Sequence, residues 1–234
     1  MQQILDLLDE VDQAVHDLAD NVNHWLGKIP SWASWVGDKI MDAWNWLMEK
    51  AQEFWDNVSF IAQNLGEPGL ISSTASSWNT SVGGTVSAQV QVAEAGNLEV
   101  DDTWTGSAAQ TYAQRISLHK TALDKIKSSM TDGITTALDA VKTGIYVFWA
   151  AMVGALLALI AGIVGALASS ATIFGIPAGI FIAAGAYGIA LGAIWGGGTK
   201  LKSDCTSARN TLEQKVINEN TGFLNGHWPA GAVS

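Results

Sequence analysis

Four histidines, one cysteine and one pair of adjacent aspartates are the residues of this chain best suited to chemistry. Imidazoles at helical spacing could hold zinc, and a thiol beside an imidazole could act as a nucleophile. His16, His24, His119 and His227 show no metal-ligand spacing to one another, and Cys205 has no histidine near it in sequence. There is no His-Glu-x-x-His, no phosphate-binding loop and no Gly-x-Ser-x-Gly. Asp101 and Asp102 stand before a helical pattern, where acids serve as capping and dipole residues. His119 falls on a helical seam and reads as a satisfied core histidine. With nothing converging on a site, the expectation is a protein that is not an enzyme, with no catalytic residue, no metal site and no cofactor.

The information lies in the elements instead. Between Lys142 and Lys200 the chain runs for 57 residues without an Asp, Glu, Lys, Arg or His side chain. Two apolar stretches, Ile145–Ala168 and Ile173–Trp195, are separated by Ser169, Ser170, Ala171 and Thr172. Each is long enough to cross a bilayer as a helix, for which about 20 residues suffice. The short polar turn predicts a helical hairpin that must enter lipid or be hidden by partners. It contains no Asp, Glu, Lys, Arg or His for a proton relay or ion site, so it reads as an anchor. Trp149 and Trp195 fit a hairpin whose two ends share one interface.

The net charge of −10 is concentrated in residues 1–67, which hold 12 acidic and 3 basic side chains. An acidic chain without a Lys/Arg cluster is a poor nucleic-acid binder, so nucleic acid is set aside as a partner. A lone cysteine forbids an internal disulfide. The segment beginning Met1-Gln-Gln-Ile-Leu-Asp has no basic region and does not read as a cleavable signal.

Apolar residues at Ile4, Leu8, Val11, Val15, Leu18, Val22, Trp25 and Ile29 predict a first helix with a heptad seam. Pro30 breaks it. Val36, Ile40, Ala43, Leu47, Phe54, Val58, Ile61 and Leu65 predict a second, ended by Gly66-Glu-Pro68-Gly69. Six of the 11 tryptophans lie between Trp25 and Trp55. They fit an interfacial helix or a bundle with an aromatic rim, and the acidic polar face favours the bundle. A third helical pattern covers about 71–92. Gly96-Asn97 and Asp101-Asp102 mark a turn. A fourth pattern, with Ala109, Tyr112, Ile116, His119, Leu123, Ile126, Met130, Ile134, Leu138 and Val141 on its seam, runs into the apolar hairpin.

Small residues recur every fourth position in the hairpin: Gly154, Ala158, Gly162 and Ala166, then Ala184, Gly188, Gly192 and Gly196. Such ladders let helix backbones approach where lipid removes the hydrophobic driving force, within the hairpin or between subunits.

The block Trp104-Thr-Gly106-Ser107-Ala108-Ala109-Gln-Thr-Tyr112 lies in a turn between helical seams. Gly106 would permit the turn, Ser107 would cap the new helix, and Ala108 and Ala109 would let helices close together. Trp104 would plug the tip, with Tyr112 two turns along the same seam. This block resembles the WXG family of type VII (ESX) secretion substrates, and is most similar to the longer Esp-like secretion-associated members. The resemblance covers about residues 70–142. It implies an actinobacterial chain exported without a cleaved signal to the cell envelope or surface, pairing with a WXG-type or chaperone partner and oligomerising. The family's export signal, Tyr-x-x-x-Asp/Glu, is missing, because Tyr112, Tyr146 and Tyr187 are followed at the fourth position by Ile116, Ala150 and Leu191.

The expected fold is all-α: a WXG-like helical hairpin within an amphipathic helix bundle, extended into an apolar hairpin of transmembrane type. Four segments are expected: an acidic, Trp-rich helical hairpin over 1–67, the WXG-like hairpin over 70–142, the apolar hairpin over 143–199, and a C-terminal helix with a loose tail over 200–234. The expected function is that of a non-enzymatic type VII substrate that inserts into an envelope membrane, binds lipid and self-assembles as a homo-oligomer, up to a pore or conduit. A two-span plasma-membrane component with cytosolic arms fits the flanking Lys142, Lys200 and Lys202. A soluble lytic pore-forming toxin that hides the hairpin in its own bundle is the third reading.

Overall fold

The computed structural model describes residues 2–63, 66–94, 103–172, 174–219, 222–223 and 226–230. The chain is all-α, 89% helix, with no strand among the described residues. Helix α1 is Gln2–Leu26 and α2 is Ser34–Gln63. Helix α3 joins Pro68–Ser77, a π-helical Trp78–Gly84 and Thr85–Val92. Helix α4 is Ser107–Ser169 and α5 is Ile176–Asn218. Pro68 opens α3 at a position where no amide donor is needed. The expected turn at Gly96-Asn97 and Asp101-Asp102, the end of the α2 seam at Leu65 and the first residue of the second apolar stretch, Ile173, lie outside the described residues.

The four segments assort into two compact units. Unit 1 is Met1–Gly66 with Tyr146–Leu201, and unit 2 is Glu67–Ile145 with Lys202–Ser234. The acidic hairpin thus packs on the apolar hairpin, which offers more apolar surface than the WXG-like segment.

In unit 1, one continuous core joins α1, α2 and the apolar parts of α4 and α5. From α1 it takes Ile4, Leu7, Val11, Ala14, Leu18 and Val22; from α2, Ile40, Leu47, Ala51, Phe54 and Val58. Leu7 and Ala14 are deeper than Leu8 and Val15, the expected seam residues, which flank the core. A helix packed in a bundle buries a stripe wider than the two-position seam of a coiled coil, so both sets find contacts. Trp25, Trp44 and Trp55 pack half-buried against the core, while Trp35 and Trp46 are exposed. Phe54 meets Tyr187 of α5 edge-on at 5.5 Å, and Trp46 lies 6.0 Å from Phe181.

The outer face of α1 is acidic. His16 Nδ1 lies 2.9 Å from the Asp12 carbonyl and 3.6 Å from its carboxylate. The carbonyl contact, then the nearby carboxylate, raise the His16 pKa above its ordinary 6.5. A raised histidine stabilises the fold fully below its unfolded value, and that stabilisation is lost as pH rises through the folded value. Proton NMR is expected to show His16 titrating higher in the folded protein than in the urea-unfolded chain, with helix α1 fraying slightly as pH passes the folded value; an unshifted His16 would refute the contact.

Unit 2 has a thinner core. None of the expected α4 seam residues between Ala109 and Val141 is fully buried; the deepest positions are Ala122, Ser129, Thr131, Gly133 and Ala137. Small side chains lie deepest because neighbouring helices come close: a Cβ on Gly133 would stand 2.7 Å from Lys215 Cβ, and one on Gly83 3.0 Å from Thr131 Cγ2. The larger apolar residues flank that line.

Candidate functional site

The apolar hairpin is the candidate site, and its two sides differ. Inside unit 1, Phe148, Met152, Leu156, Leu159 and Ile163 of α4 face the core with Ile176, Ile180, Ala183, Tyr187 and Ala190 of α5. On the other side Leu157, Val164, Ile182 and Ile189 are exposed, as are Phe181 at the edge beside Trp46 of α2, Phe174 near the tip and Trp195 near the lysine-flanked end. Two helices, α4 and α5, are long and apolar enough to cross a membrane. Within their most apolar windows only 33% and 44% of residues are buried in the fold.

This division splits the small-residue ladders. Gly162 serves the hairpin's own closure, since a Cβ there would overlap the methyl of Ala186. Ala166 is buried beside the tip, where a Cβ on Gly179 would stand 2.6 Å from its carbonyl oxygen. Ala184 is buried too. Gly154, Gly188, Gly192 and Gly196 are exposed, with no atom within 4 Å of a Cβ built on any of them, and Ala158 is exposed beside them. Sequence reasoning missed Ala186 and Gly179, because a single four-residue ladder hides a second small-residue line one face away.

It also missed the polar joint at the tip. Asn21 of α1 donates from Nδ2 to Ser170 Oγ at 2.6 Å, with the Ser170 carbonyl at 3.4 Å. Ser170 is fully buried. The Tyr187 hydroxyl and the Trp149 indole nitrogen are buried without a hydrogen-bond partner among the described residues. A polar residue in the otherwise apolar hairpin was the available signal for this joint; its partner 149 residues away was not.

The WXG-like block lies in unit 2. Gly106 has φ +106°, a conformation L side chains rarely adopt, and α4 starts at the next residue. Trp104 and Tyr112 stack with ring centroids 5.6 Å apart, and Trp104 stays nearly half exposed. Ser107 does not cap the helix with its side chain; it is the first helical residue, and its carbonyl accepts from Thr111 Oγ1 at 2.9 Å. Ala108 is exposed and Ala109 half-buried, so neither lies in a tight helix contact. Lys120 of α4 pairs with Glu94, just beyond the end of α3.

Some of the described tail residues contact α4. Trp228 Nε1 donates to His119 Nδ1 at 2.8 Å, with Phe223 stacked beside Trp228 at 6.1 Å. A Cβ on Gly222 would stand 2.6 Å from Lys125 Cγ. His119 is therefore a half-buried anchor for the tail. His16, His24 and His227 are exposed, as is Cys205. Among the described residues no group of three His, Cys, Asp or Glu side chains could hold a metal ion. Comparison with models of protein families, with curated proteins and with solved structures found nothing that matches this chain.

Proposed function

We propose that this chain is a non-enzymatic membrane protein whose apolar hairpin enters a bilayer and packs against copies of itself, and that it reaches an envelope membrane as a type VII (ESX) secretion substrate. The observation that carries the membrane part is the hairpin's uncovered side, wholly uncharged and studded with exposed Leu157, Val164, Ile182 and Ile189. The self-assembly part rests on Gly154, Gly188, Gly192 and Gly196. Glycine inside a helix costs about 1 kcal/mol against alanine, and no contact among the described residues requires these four. Close approach of a second helix in lipid would use them. The export part rests on the resemblance around Trp104, Gly106 and Tyr112, and the positive φ of Gly106 and the tilted contact of the Trp104 and Tyr112 rings support it.

Mixed with phosphatidylcholine vesicles, the purified chain is expected to float with lipid and to cross-link into a homo-oligomer. The double variant Gly188→Ile/Gly192→Ile is expected to float as before but to stay monomeric, a loss of at least tenfold in cross-linked product. A wild-type chain that stays out of the lipid fraction would sink the membrane reading; an Ile variant that still oligomerises would sink the glycine interface. Release of trapped dye marks a pore, and flotation without release an anchor. Lys142, Lys200 and Lys202 flank the open end of the hairpin, as in a plasma-membrane component with cytosolic arms. Protease treatment of intact cells separates that reading from the exported one, because cytosolic arms would survive.

A further inference from the structure

We infer that α1 and α2 are a detachable cover, seated on the inner side of the hairpin in water and released when the hairpin crosses a bilayer. This rests on the membrane reading above. In unit 1 the cover supplies a full apolar face to the hairpin, with Val11, Leu18, Ile40, Leu47, Phe54 and Val58 at most 1% exposed. Its outer face carries exposed carboxylates along both helices, including Asp6, Asp12 and Asp17 on α1 and Asp42, Glu49 and Asp56 on α2. Helices laden with these charges cannot accompany the hairpin through hydrocarbon, which penalises each carboxylate. The hairpin itself has no charge on any side. A seated cover and a spanning hairpin are therefore mutually exclusive, and the cover is the part that must leave.

The joint is built for release. The hairpin has no charged group to pair with, and the ion pairs His16–Asp12 and Lys50–Glu53 stay within single helix turns of the cover. The polar link is the hydrogen bond from Asn21 to Ser170 at the hairpin tip. Apolar contact alone is exchangeable for lipid contact, because hydrocarbon replaces what the cover gives.

The test uses the full chain with Cys205→Ser, Asn21→Cys and Ser170→Cys, bridged by a reducible bis-maleimide and mixed with phosphatidylcholine vesicles carrying a diazirine lipid. Photolabelling is mapped residue by residue. Inner-side Leu156, Leu159 and Ile180 are expected to label at least tenfold less in the bridged protein than after reduction, while outer-side Leu157, Val164 and Ile189 label in the reduced protein. Equal inner-side labelling before and after reduction, or labelling confined to the outer side in both, overturns the cover and leaves the membrane reading standing. No labelling in either state overturns both. Asn21→Ala in the otherwise native chain removes the tip link without a bridge and is expected to label the inner side about fivefold faster, the worth of one hydrogen bond; an unchanged rate removes Asn21 as the latch.

Discussion

Phe54→Ala is expected to cost unit 1 about 3–5 kcal/mol, the usual range for emptying a fully buried aromatic site. Phe54 has no exposed surface and packs edge-on against Tyr187 at 5.5 Å and against Trp55 at 5.6 Å. It belongs to α2, whereas Tyr187 belongs to the apolar hairpin, so truncation opens a cavity at the joint between them. Phe54→Leu keeps most of the volume and should cost less than about 1.5 kcal/mol. Guanidinium unfolding in mild detergent, followed by circular dichroism, measures both. A Phe54→Ala midpoint indistinguishable from the parent would mean that α2 does not rest on the hairpin.

Gly162→Leu is expected to be comparably damaging for the opposite reason. Here there is too little room: the first carbon of any side chain at 162 would overlap the Ala186 methyl, and its next neighbours, the Ala186 Cα and the Ile182 carbonyl oxygen, are backbone atoms that cannot rotate away. Overpacking of this kind costs about 1–3 kcal/mol, and more where backbone must shift. The informative contrast is Gly188→Ala. That position faces open space, so the substitution should leave the monomer unharmed or stabilise its helix by about 1 kcal/mol. The same unfolding experiment decides both. If Gly162→Leu and Gly188→Ala behaved alike, the hairpin would not close along the line of Gly162 and Ala186.

The comparison of these two glycines shows how much of the site was legible. Both sit on four-residue ladders of small residues, and spacing alone treats them as equivalent. Spacing reports that a face is small; it does not report what lies opposite. The same limit applies to α4 before the hairpin. Its apolar seam from Ala109 to Val141 is visible in the sequence, yet Ala122, Ser129 and Ala137 beside that seam are the buried ones. Where helices approach closely, small side chains reach the centre and large ones are pushed to the flanks, which inverts the usual weight given to size. Trp228 is a further case: nothing local ties it to His119, 109 residues away.

Other elements were legible because their causes are local. The helices over 2–26 and 34–63 follow from their apolar periodicity and from Pro30 between them. Gly106 marks the start of α4 because the backbone there adopts φ +106°. The long apolar pair follows from an uncharged run of 57 residues. The sequence by itself therefore determined an all-helical chain and a hairpin with no charge to keep it in water, while the expected break before a separate C-terminal helix is absent, α5 running unbroken from Ile176 to Asn218. Tertiary structure alone decided that the acidic helices lie on that hairpin, that Asn21 meets Ser170, and which glycines are shut inside and which stand open. The first set depends on residues within a turn or two of one another; the second depends on which of several similar apolar faces meet, a choice made by the total surface buried across distant segments.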